Sequence, residues 1–242
     1  MNNETLGQTV EKVLCDIYLI DAEPLRQRAE KRLEERLMNA LLPIKANREM
    51  PDLAAWTGGR KGTRGGQSKC PYDFLNSNGE RVSIKTNLKK TGAKICPPEV
   101  GQPGFATFRR YFEPTLGTQA FSSTKCLKKA ILESFGKMLP IYLHHLFSCD
   151  YLVWVYPDDR AFSYEIIYPK MLGELQKRRI FDQTFQFTKT LETWNESNTV
   201  KVEINGKIRS IGEFQFHSNR TQGSPKFRFI LEHAFEFLRS LF

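Results

Sequence analysis

Asp73 and Lys85 stand either side of an Asn78-Gly79 turn signal, in the stretch CPYDFLNSNGERVSIKTN (70–87). A carboxylate at a strand end is a hard ligand for Mg2+. The backbone carbonyl of Ile84 can add a second oxygen. A lysine next to that position can hold a water or hydroxide and help to deprotonate it. The cation lowers the pKa of that water and offsets charge building on a phosphate. Such a set would hydrolyse a phosphodiester.

The chemistry makes a demand on register. Alternation along ERVSIKTN puts Arg81, Ser83, Lys85 and Asn87 on one face and Val82, Ile84 and Thr86 on the other. A two-residue Asn-Gly turn would pair residue 73 with 84 and point Asp73 away from Lys85. A three-residue loop, Ser77-Asn78-Gly79 with Gly79 left-handed, pairs 73 with 83 and brings Asp73 to the face of Lys85. A bulge or a bent strand at Pro71 would do the same.

Charge surrounds this hairpin. The chain has 242 residues and a net charge of +9. Between Gly58 and Lys94 nine basic residues face only Asp73 and Glu80, which leaves +7 there and +2 for everything else. So one-sided a stretch points to a polyanion. Within it, TGGRKGTRGGQSK (57–69) has five glycines and reads as a loop without the GxxxxGK[ST] order of a phosphate-binding loop. Its Arg60, Lys61, Arg64, Gln67, Ser68 and Lys69 can reach phosphates. Beyond the hairpin, Asn87, Lys89 and Lys90 extend the candidate DNA contacts.

The flanking elements complete an α/β pattern. In DAEPLRQRAEKRLEERLMNALLP, Asp21 is a possible N-cap, Leu25, Ala29, Leu33, Leu37 and Leu41 form a stripe, and Pro43 is expected to stop the helix. A second helix begins near SSTK, with Leu127, Ala130, Ile131, Phe135 and Leu139 on one face and Pro140 expected to kink or end it. His144 and His145 point about 100° apart on a helix and cannot act as a metal pair. YLVWVY (151–156) reads as a buried central strand and FSYEIIY (162–168) as its neighbour. A short helix around PKMLGELQKRR, the strand-like TFQFTKT, TVKVEING, GEFQFH and KFRFIL, and a terminal amphipathic helix follow.

Hydrophobic residues at 40% and charged residues at 26% are ordinary for a soluble globular protein. No stretch reaches the roughly 20 apolar residues of a membrane span, and no secretory leader is visible. The five cysteines are scattered and form no CxxC pair, so free thiols are expected rather than a zinc site.

PYD, with SIK ten residues after its Asp, resembles the PD-(D/E)XK nuclease superfamily and in particular the type II restriction endonucleases. The resemblance implies one nuclease domain over 1–242: a helical part (1–50), a catalytic core (51–170) and a DNA-recognition part (171–242). The fold it implies is a central mixed β-sheet flanked by helices, restriction-endonuclease-like, with a β-rich C-terminal part. Carried over, Asp73 matches the first acid, Ser83 the second acidic position and Lys85 the lysine. Ser83 lacks a carboxylate, a departure that some restriction enzymes share with Asn or Gln. Glu80, Glu34 or Glu35 stand as its replacement, with Glu34 taken into the catalytic set. GEFQFHSNRTQGSPKFRF (212–229) is similar to C-terminal strand-turn-strand segments of several restriction enzymes. Gln and Asn can bond an adenine edge and Arg a guanine edge. Gln215, His217, Asn219, Arg220, Gln222 and Lys226 are the corresponding candidates.

The function implied is Mg2+-dependent cleavage of double-stranded DNA at a short specific sequence, in a prokaryotic cytoplasm, by a possible homodimer with no membrane partner. A non-catalytic DNA- or RNA-binding protein and a structure-selective repair nuclease are the alternatives. No HxK pair and no His-Asn-His finger offers another nuclease chemistry.

Overall fold

The structure, a computed structural model, describes residues 2–22, 25, 29–57, 72–159, 161–169, 179–180, 182–216 and 225–241. The backbone divides into two compact units, Met1–Ala93 with Phe147–Met171 and Lys94–Leu146 with Leu172–Phe242. Residues 94–146 cluster with the C-terminal strands because β4 (Lys94–Ile95) pairs with β10 (Lys226–Ile230).

In the first unit, helix α1 spans Asn3–Tyr18. The Asn2 side chain caps it by accepting the Thr5 amide at 2.8 Å, and Leu19 ends it in a left-handed turn at φ 58°. Leu6, Val10, Val13, Leu14 and Ile17 give it one buried stripe. Helix α2 spans Lys31–Ala46 and buries Leu33, Leu37, Leu41 and Ile44. The Glu30 amide at its start donates to Thr9 Oγ1 on α1 at 2.9 Å; between the expected Asp21 cap and Lys31, residue 25 is helical and positions 23, 24 and 26–28 lie outside the described residues. Pro43 lies inside it rather than at its end.

Both helices pack on one face of a sheet ordered β1-β2-β3-β5-β6, through Phe74, Val82, Ile84, Val153 and Val155. Each such side chain contributes about 1.5–3 kcal/mol on burial. The strands are β1 (Leu53–Trp56), β2 (Phe74–Asn76), β3 (Arg81–Thr86), β5 (Tyr151–Asp158) and β6 (Ala161–Ile167). β3 and β5 run parallel and all other pairs antiparallel, so the sheet is mixed. The apolar run expected at 151–156 is the strand β5, flanked on both sides.

In the second unit, α3 (Phe105–Leu116), a 3-10 turn (Thr118–Phe121) and α4 (Thr124–Leu146) precede an antiparallel sheet. That sheet is ordered β4-β10-β9-β8-β7, with β7 at Phe185–Phe187, β8 at Ser197–Ile204 and β9 at Lys207–Gln215. Helix α5 (Leu231–Ser240) closes the chain. Phe135, Tyr142, Phe214 and Phe227 interlock at the core of this unit, with Tyr142 and Phe227 ring centres 4.3 Å apart. α4 continues through Pro140 and departs from helical geometry at Ser134 instead, with φ −127° and ψ 15°. The helix expected around PKMLGELQKRR lies almost wholly outside the described residues. None of the five helices among the described residues is long and apolar enough to cross a membrane.

Candidate active site

The hairpin has the register that the chemistry demands. Phe74 pairs with Val82 and Leu75 with Arg81, and one step on the Asp73 amide donates to the Val82 carbonyl at 2.9 Å. The loop is Ser77-Asn78-Gly79. Gly79 sits at φ +73°, a conformation glycine adopts without steric cost. Asn76 Oδ1 fixes the turn by accepting the amides of Asn78 at 3.0 Å and Glu80 at 2.9 Å. The local sequence builds this geometry: an Asx side chain at the loop entrance and a glycine at its left-handed position.

Three candidate side chains meet as a result. Lys85 Nζ donates to Ser83 Oγ at 2.8 Å, and Ser83 Oγ donates to Asp73 Oδ2 at 3.3 Å. Asp73 Oδ2 also accepts the Ile84 amide at 2.6 Å. In an extended strand the amide and carbonyl of one residue face the same edge. The Ile84 carbonyl therefore faces the Asp73 side, past the point where β2 begins at Phe74.

A further carboxylate stands in the field of Asp73 and Lys85, on a residue the sequence reading did not single out. Glu11, on α1, is partly buried, and Trp56 Nε1 donates to its Oε2 at 2.8 Å. Burial first, and the Asp73 charge second, push its carboxyl up to about 8, against the opposing pull of the Trp56 hydrogen bond and Lys85. Glu11 borders the buried stripe of α1, one turn before Leu14, and that is the only sign of it in the sequence. Of the replacements expected, Glu34 is held by Lys12 at 2.6 Å, and Lys12 also binds Asp16 at 2.8 Å. Glu80 accepts from Asn76 Nδ2 at 3.0 Å at the hairpin turn. Cys149 is buried in the field of Lys85 and Asp73, and its thiol is pushed up to about 12, chiefly by burial, so it stays protonated.

Several candidate DNA contacts take other places. Asn87 is only 4% exposed, and its Oδ1 accepts the Trp154 indole N–H at 2.9 Å, so its side chain supports the sheet instead of reaching out. Lys90 lies over the Tyr156 ring at 4.8 Å and pairs with Glu165 at 3.5 Å. Lys89 is exposed. Gln215 and Lys226 face each other across β9 and β10 in the second unit, whereas Asp73, Ser83 and Lys85 belong to the first. Arg60, Lys61, Arg64, Gln67, Ser68, Lys69, His217, Asn219, Arg220 and Gln222 lie outside the described residues. His145 stacks edge-on against Tyr111 and burial lowers its pKa, as a packing residue, while His144 is exposed.

Among the described residues no group of three or more His, Cys, Asp or Glu side chains could by itself enclose a metal. Mg2+ does not require one: it binds through one or two carboxylates, keeps several waters and takes substrate phosphate oxygens. Asp73 and Glu11 are hard oxygen donors of that number. The Asp73 charge disfavours ionisation of Glu11, a repulsion that a divalent cation relieves. The donor set therefore fits Mg2+. No family model, curated protein or solved structure matches the chain.

Proposed function

We propose that this chain is a Mg2+-dependent endodeoxyribonuclease of the restriction type, hydrolysing double-stranded DNA at a short specific sequence. The observation that carries the reading is the meeting of Lys85 and Asp73 on the Ser83 hydroxyl, with Glu11 in the same field. Asp73, Glu11 and the Ile84 carbonyl would hold the cation. Bound there, Mg2+ supplies a water of lowered pKa and neutralises charge on the phosphate.

The residues of the chain do the rest. Ser83 anchors Lys85 by one hydrogen bond, leaving further ammonium N–H donors for the attacking water and a phosphate oxygen. The Ile84 amide and Ser83 hydroxyl fix the Asp73 carboxylate before substrate arrives, so little reorganisation accompanies reaction. The water oxygen bonds to phosphorus while the opposite P–O bond breaks; the water gives up one proton to solvent and the leaving oxygen takes one from solvent. The basic residues of 58–94 would grip the DNA backbone, and a homodimer would present one site to each strand of a palindrome.

The test is incubation of plasmid DNA with the protein, with Mg2+ or with EDTA. Discrete fragments with Mg2+ that are absent with EDTA, and absent for Asp73→Asn and Lys85→Ala, are expected. Retardation without cleavage under every condition would replace this reading with a DNA-binding protein. Cuts that follow DNA structure rather than sequence would make it a repair-type nuclease.

A further inference from the structure

We propose that Trp56 is a positioning residue that sets cation affinity, and that the end of edge strand β1 ties the Glu11 carboxylate to the backbone of Asp73. The inference rests on the reading of Asp73 and Glu11 as the cation-holding pair. Consecutive residues of this segment hold the two acids. The Trp56 side chain donates to Glu11 Oε2 at 2.8 Å. The Thr57 amide donates to the Asp73 carbonyl at 2.9 Å, and Thr57 Oγ1 donates to the Tyr72 carbonyl at 2.8 Å. Trp56 is itself in register with Phe74, the residue after Asp73.

Glu11 and Asp73 come from distant parts of the chain, on α1 and at the start of β2. Packing of α1 against β1 and β3 sets where the helix stands, but a glutamate has three side-chain torsions left to fix. The indole N–H fixes them by holding one carboxylate oxygen. It is suited to this, because indole is a donor only and cannot compete as a ligand. An irregularity in β1 between Leu53 and Ala55 shifts the strand register just before Trp56. Irregularities of that kind re-aim side chains beside functional sites. Partners that orient a metal ligand typically change affinity about 10–100-fold when removed.

The experiment measures Mg2+ binding to the whole metal-free protein by calorimetry, for wild type, Trp56→Phe and Asp73→Asn. Phenylalanine keeps a ring on the sheet and removes the N–H. We expect Asp73→Asn to lose binding and Trp56→Phe to bind roughly tenfold or more weakly, with DNA cleavage recovering as Mg2+ is raised. Trp56→Phe binding as tightly as wild type, while Asp73→Asn does not bind, overturns the role of Trp56 and leaves the site intact. Wild-type protein without Asp73-dependent binding overturns the site and the inference with it. Should Trp56→Phe not fold, the wild-type Trp56 indole N–H resonance decides. It shifts as Mg2+ is added if the inference holds, and an unmoved resonance at saturation overturns it.

Discussion

The Ile84 amide donates to Asp73 Oδ2 at 2.6 Å, so the carboxylate proposed to hold a cation also ties the start of β2 to β3. Ile84 is buried, and an amide left there without an acceptor costs about 1–3 kcal/mol. Asp73→Ala removes the acceptor and the charge together. Asp73→Asn removes the charge but keeps a carbonyl oxygen for the amide. Both variants are expected to lose cleavage, and only the alanine variant to unfold at lower urea. An Asp73→Asn protein that cuts DNA at the wild-type rate takes Asp73 out of the reaction.

Ser83 occupies the position where the resemblance calls for an acid, and its hydroxyl bridges Lys85 and Asp73. Ser83→Ala releases the ammonium and removes one hydrogen bond from Asp73 Oδ2, leaving the Ile84 amide to hold that carboxylate. We expect cleavage at saturating Mg2+ to fall about 10–100-fold, with Mg2+ affinity close to wild type. Single-turnover cleavage against Mg2+ concentration separates the two quantities. A large loss of affinity with an unchanged maximal rate would instead make Ser83 part of the cation site.

How far the sequence carried this reading depends on the range of each interaction. The existence of the hairpin was legible from the Asn78-Gly79 pair and the alternation of ERVSIKTN; its register stayed open between two turns, and is set by Asn76 Oδ1 taking the amides of Asn78 and Glu80. β5 was legible because YLVWVY needs apolar residues on both faces. The anchoring of the α2 start was not: the Glu30 amide finds its acceptor, Thr9, on another helix. Nor was Glu11, whose character comes from Trp56 and Asp73, distant in sequence and brought close by packing of α1 on the sheet. The pairing of β4 with β10 was not legible either, because the two strands are separated by most of the remaining chain.

Glu11 gives the metal-free protein a distinctive pH dependence. Its carboxyl is raised from 4.5 to about 8 by burial and by the Asp73 charge. A folded-state value above the unfolded one means that the folded protein binds the proton more tightly. This contribution is complete below 4.5 and is lost as pH climbs to about 8. Within that window each pH unit costs up to about 1.4 kcal/mol. Urea unfolding across it should show wild-type stability declining with pH and Glu11→Gln declining less. Saturating Mg2+ should flatten the wild-type profile as well, because a cation takes over the role of the proton. Parallel profiles for wild type and Glu11→Gln would place the titration elsewhere.

Asn87 and Lys89 separate support of the sheet from contact with DNA. Asn87 Oδ1 accepts the N–H of Trp154, a fully buried side chain. Asn87→Leu leaves that N–H without its acceptor, so we expect a stability loss of about 1–3 kcal/mol. DNA affinity of the folded fraction, and its dependence on salt, should stay at the wild-type values. Lys89 is exposed within the strongly basic stretch, and Lys89→Ala should do the reverse. Its stability should remain within about 0.5 kcal/mol of wild type. Its DNA binding should weaken evenly across sequences, and the slope of log affinity against log salt should shrink by about 1. Fluorescence anisotropy at several salt concentrations, with EDTA present to prevent cleavage, measures both slopes. If Asn87→Leu alters the slope and Lys89→Ala does not, the DNA path runs over the Asn87 face of the sheet, and the support role assigned to Asn87 is wrong.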